Sequence, residues 1–140
     1  MKIIILVSML FTLSNCFTGV MYFRTDKMTP IEQQGRIRTS RSTFLMSIDD
    51  QMMPMGQVHN WSHYKNFLVS PGDYKLMVHY YKVVGRSVSS SKQALPIGIK
   101  INAGETIFIC GSTTKTGWFP QPLLIPNDVP DSEPDPSGCN

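Results

Sequence analysis

The sequence predicts an all-β protein, a small antiparallel β-sandwich preceded by a signal peptide and followed by a disordered tail. Three observations predict it. In Ser42 to Ile48, Tyr74 to Val84 and Leu95 to Ile101 apolar side chains recur at every second position, the period of a strand with one buried face. Ten Gly and ten Pro in the chain argue for many turns and short runs between them. At both ends the pattern stops, leaving one small domain's worth of chain between them. A hydrophobic share of 41% supports one core, and a formal net charge of only +3 argues against a dense basic face that reads nucleic acid.

Met1 and Lys2 give a short positive start, and Ile3 to Leu13 form an 11-residue apolar run softened by Ser8 and Thr12. A membrane-spanning helix needs about 20 apolar residues, whereas this length suits the apolar stretch of a secretory signal peptide. The run ends in Leu13-Ser14-Asn15-Cys16, which resembles the lipobox of bacterial lipoproteins. That resemblance implies a signal peptide over 1–15, a lipid on Cys16 and attachment to the bacterial cell envelope. Asn15 stands where the family usually has Gly, Ala or Ser, so plain secretion after ordinary cleavage is the competing expectation. Phe17 rather than Asp follows the cysteine, which by the same resemblance implies the outer membrane, facing the periplasm.

Residues 16–40 show no sustained period and read as a tether, with room for a helical turn or two over 28–36. Arg36 and Arg38 would share one strand face, either solvated or turned to anionic lipid or glycan. The domain is expected over 41–125. In its first strand, Ser42 to Ile48, Phe44, Met46 and Ile48 line one face, and Asp49-Asp50 ends it. Phe67-Leu68-Val69 leads to Ser70-Pro71-Gly72-Asp73, which suits a type II turn. From Tyr74 to Val84 the alternation is cleanest: Tyr74, Leu76, Val78 and Tyr80 on an apolar face, Lys75, Met77, His79 and Tyr81 on a mixed one.

Gly85 to Gln93 is polar and without period, hence a mobile loop. Leu95, Ile97, Ile99 and Ile101 alternate again. After a turn at Asn102 to Glu105, Thr106 to Cys110 is nearly continuous in apolar residues, as a sheet interior needs. An antiparallel hairpin is the simplest pairing of these two. Gly111 to Gly117 reads as a loop. Pro120 and Pro122 limit Trp118 to Ile125 to an edge strand or an extended crossing segment. Residues 126–140, with four Pro, three Asp and one Glu, form the expected disordered acidic tail. Twelve Lys and Arg against six Asp and Glu over 16–125 leave the preceding part near +6.

The run Val69-Ser70-Pro71-Gly72-Asp73-Tyr74-Lys75-Leu76-Met77-Val78-His79-Tyr80, followed by Ala103-Gly104-Glu105-Thr106-Ile107-Phe108-Ile109, is similar to small bacterial lipoproteins with PEGA-like or prealbumin-like β-sandwich domains. The resemblance covers roughly residues 44 to 125. It implies the fold and no catalytic residues. The 50–65 segment, rich in Met and His, departs from it.

The candidate chemistry is sparse. Cys110 and Cys139 either pair, pinning the tail, or stand as two thiols with Cys110 buried in a strand. Met52, Met53, Met55, His59 and His63 are soft donors that suit Cu(I). As the alternative, the methionines fold against the sandwich as adaptable filler. Trp61, Tyr64, Trp118 and Phe119 form either an aromatic binding patch or core. Lys115-Thr116-Gly117 and two Ser-x-x-Lys matches, 62–65 and 89–92, echo penicillin-binding enzymes, but no Ser-Asp-Asn accompanies them. The sequence therefore leads to a non-enzymatic, lipid-anchored envelope module that binds or scaffolds an envelope protein partner, with no cofactor and no nucleic acid. The alternative is a periplasmic small-ligand or copper-binding protein using 52–63.

Overall fold

The computed structural model describes residues 19–53 and 66–127, together with Pro136 and Cys139. The strands are β1 (Val20–Phe23), β2 (Gly35–Thr39), β3 (Thr43–Ile48), β4 (Gln51–Met52), β5 (Asn66–Val69), β6 (Gly72–Val84), β7 (Ser87–Ser90), β8 (Leu95–Ile101), β9 (Thr106–Thr114) and β10 (Gly117–Ile125). A short 3-10 turn at Ile31–Gln33 is the helical content among the described residues. The strands make two sheets, the all-β sandwich that the alternation implies. The first has the order β1-β5-β2-β9-β10; in the second, β4-β3-β6 continues into β7 and β8, both paired with β6. Most pairs are antiparallel, while β1 with β5 and β2 with β9 run parallel.

The core lies between the sheets. Ile37, Phe67, Val69, Ile107 and Ile109 come from the first sheet, and Leu45, Ile48, Tyr74, Leu76, Val78, Ile99 and Ile101 from the second. Two glycines let the sheets approach. A Cβ on Gly35 would stand 2.7 Å from Ile101, and one on Gly111 would stand 2.6 Å from the Tyr80 ring.

The segment 16–40, expected as a tether, instead supplies β1 and β2, and β2 is a central strand between β5 and β9. Its period is hard to see because Gly35, Ile37 and Thr39 alternate with Arg36 and Arg38, and only Ile37 is a large apolar residue. The faces of β3 also differ from expectation. A bulge falls between Leu45 and Ser47, so Thr43, Leu45 and Ile48 are buried while Phe44 and Met46 are only half-buried. An extra residue breaks strict alternation.

Asp49-Asp50 does end β3, as a two-residue hairpin turn into β4. Gly72 opens β6, so the Ser70-Pro71 link carries the chain from the first sheet to the second rather than closing a hairpin. The expected loop over 85–93 contains β7, which folds back on β6. Residues 111–114 extend β9, which pairs with β10 along its whole length. The expected hairpin of 95–101 with 106–110 does not form. Strand β8 pairs with β6 and β9 with β2 and β10. Both present an apolar face to the interior, and facing across it buries both sets at once. Pro120 and Pro122 lie on β10, the edge of its sheet.

Candidate functional site

On the first sheet, residues that alternate with the core point away from the sandwich interior. This outer face carries Arg36, Arg38, Leu68, Thr106, Phe108 and Cys110, with Leu123 and Ile125 beside them on β10. Phe108, Cys110 and Ile125 are buried there and form a second small apolar cluster with Leu123 and Cys139. Cys110 and Cys139 are joined by a disulfide with Cα atoms 5.4 Å apart. The C-terminal end is thereby fastened to the outer face. A second fastening lies four residues earlier on β9, where Thr106 Oγ1 donates to Asn127 Oδ1 at 2.6 Å.

Arg38 is only 6% exposed on this face, and its guanidinium carbon lies 5.7 Å from the Phe108 ring centre. That stack suits a delocalised cation over an aromatic ring. Next to it opens a cavity of about 290 Å³, lined by Ile31, Gln34, Arg36, Leu68, Glu105 and Thr106, among others. Gln34 is held from within: its Nε2 donates to the carbonyls of Asp26 at 2.9 Å and Thr29 at 2.7 Å, and its Oε1 is buried without a partner. The Glu105 carboxylate sits below the ordinary Glu range because the Asn102 side chain and backbone N–H donate to it. A cation, a carboxylate, amides and apolar side chains around one hollow make a surface suited to binding a mixed polar and apolar partner.

The other sequence candidates separate. Met53 is buried in the main core, so its thioether serves packing, and Met52, its neighbour in sequence, is 64% exposed. Met55, His59 and His63 lie outside the described residues, as do Trp61, Tyr64 and Cys16. Trp118 stacks on Tyr80 with ring centres 5.3 Å apart and packs against the core. Phe119, next along the strand, is half-exposed. The Trp118 and Phe119 side chains therefore do not form one patch. Lys115 and Thr116 are exposed at the tip of the β9–β10 hairpin, and Ser89 is exposed on β7; Ser62 and Lys65 lie outside the described residues.

Two groupings escaped the sequence reading. Arg24 lies over the Phe23 and Tyr74 rings, at 5.0 and 5.7 Å from their centres, and pairs with Asp49 at 2.8 Å. On the outer face of the second sheet, strand register places Met52, Met77 and His79, with the bulge residue Met46 beside them in β3. The alternation in β6 signals the Met77–His79 face, but nothing local reports the bulge at Met46.

Among the described residues no helix is long and apolar enough to cross a membrane, and no group of three His, Cys, Asp or Glu gathers as a metal site. No family model, curated protein or solved structure matches the chain.

Proposed function

We propose that this chain is a lipid-anchored cell-envelope lipoprotein whose β-sandwich works by binding rather than by catalysis. The anchor is Cys16, and the domain faces the periplasm from the outer membrane. The observation that carries the reading is the Cys110–Cys139 disulfide. Disulfides form and persist in oxidising compartments such as the periplasm. Pairing these two leaves Cys16 as the remaining cysteine of three, placed where the apolar run ends. Similarity of the turn-and-strand pattern to PEGA-like domains supports the same reading. The cavity on the outer face of the first sheet, with Arg36, Gln34 and Glu105 at its walls, is the surface for an envelope protein partner.

The intact mass of the mature protein from a membrane fraction tests this. A mass beginning at Cys16 and carrying acyl chains is expected, and Cys16→Ser should release the protein from the membrane. A soluble, unmodified chain cleaved elsewhere would replace the anchor with plain secretion.

A further inference from the structure

We propose that the outer face of the second sheet carries a site for a soft monovalent cation, Cu(I), built from Met46, Met52, Met77 and His79. Strand β6 sends Tyr74, Leu76, Val78 and Tyr80 into the buried interior, so Met77 and His79 project from the opposite side. The register extends this face across three strands. Ser47 stands opposite both Met77 on β6 and Met52 on β4, and Phe44 stands opposite His79. Met46 is the extra residue of the bulge beside Ser47, and neither it nor Met77 belongs to the core. Met52 and Met77 thus flank one short side chain, Ser47, which is 4% exposed, and Met46 precedes it in the chain.

Reach and chemistry both fit. Met52 and Met77 each stand one strand spacing of about 4.8 Å from Ser47, so about 10 Å separates them, and each sulfur lies two bonds beyond its Cβ on a freely rotating stem, which lets both reach a cation held above Ser47. His79 is two positions from Met77 on the same strand face, about 7 Å away. Its Nδ1 lies 3.0 Å from the Tyr80 carbonyl and 3.2 Å from Ser91 Oγ. The carbonyl can only accept, so Nδ1 is the donor there and Nε2 is the nitrogen left to meet a metal. Holding a histidine by a carbonyl at one nitrogen is how metal-ligating imidazoles are oriented. Thioethers are neutral, soft donors, and imidazole is a borderline one that also suits copper. They select Cu(I), whereas Mg(II) and Ca(II) demand oxygen and Zn(II) favours thiolate or several imidazoles. Met53 shows the alternative use of this residue type, buried packing, and the three outer methionines do not share it.

The test uses soluble full-length Cys16→Ser protein with its disulfide intact. Cu(I) is supplied anaerobically as its acetonitrile complex, in competition with a chromophoric chelator. One Cu(I) per chain at submicromolar Kd is expected, with sulfur and nitrogen neighbours in the copper X-ray absorption spectrum. Met77→Leu and His79→Gln should each weaken binding at least tenfold with the circular dichroism unchanged, and Met53→Leu should leave it unaltered. Absence of tight binding would overturn the site. So would binding that survives both outer-face substitutions, or that is lost only when Met55, His59 and His63 are replaced.

Discussion

Asp49 and Asp50 both adopt left-handed backbone, at φ of 45° and 65°, and Ile48 pairs with Gln51 across them. Two consecutive positive φ values define the tight hairpin turn whose twist matches that of its strands. Asp tolerates that region better than most residues but less well than Gly. Asp49 is compensated: its Oδ2 meets Arg24 and its Oδ1 accepts the Lys75 N–H at 2.8 Å. Asp50 has exposed surroundings. Asp50→Gly should therefore raise stability by a few tenths to about 1 kcal/mol, read as a higher denaturant midpoint with unchanged slope, while Asp49→Gly should lower it.

Asp26 offers a pH test. Its carboxylate lies below the ordinary Asp range, chiefly because the Thr29 and Met28 backbone N–H groups donate to it, with the Thr29 hydroxyl adding to the effect. A depressed folded-state pKa contributes stability above the unfolded value, about 3.9, and that contribution is lost as pH falls through the folded value. Melting temperature should accordingly fall more steeply between pH 5 and about pH 2 in the native protein than in Asp26→Asn. Equal slopes would remove Asp26 from the acid response.

At the scale of the element, β10 shows how an exposed edge is kept from pairing with other chains. Pro120 and Pro122 stand opposite Gly111 and Ile109 and lack N–H donors. In a strand paired on one side, prolines are accommodated where the missing donor faces the open edge. That edge thus lacks two donors that an intruding strand would need. Replacing both by Val should restore them and produce concentration-dependent self-association in sedimentation velocity, with the half-exposed Phe119 adding apolar area. A monomer at all concentrations would show that edge chemistry is set elsewhere.

The whole molecule is closed by its disulfide. Cys110 and Cys139 are 29 residues apart, and a cross-link over a loop of that size removes unfolded-state entropy worth about 3.6 kcal/mol. Cys139→Ser should cost about that much and should increase proteolysis C-terminal to Ile125. An unchanged melting temperature would mean that the C-terminal end is fastened without the covalent bond.

What the sequence determined by itself is most of the strands in the middle of the chain and, where alternation is strong and no bulge intervenes, their inward faces. Tyr74 to Tyr80 and Ile97 to Ile101 each bury the apolar side of their alternation, because a period of two is a local property of the backbone, and Thr106 to Cys110, apolar nearly throughout, is buried on both faces. The edge character of Trp118 to Ile125 was legible for an equally local reason, the missing proline N–H. What only the tertiary structure decided is which strand neighbours which. Two strands four residues apart can pair or can face each other across a core, and β8 and β9 face each other because that buries both isoleucine rows. The same holds for β2, whose one large inward residue, Ile37, gives a weak pattern but is fully buried by partners far away in sequence. It holds again for the Met46, Met52, Met77 and His79 face. Its members span 34 positions, and only the strand order and register place Met52, Met77 and His79 on one side of one sheet, with the bulge residue Met46 beside them.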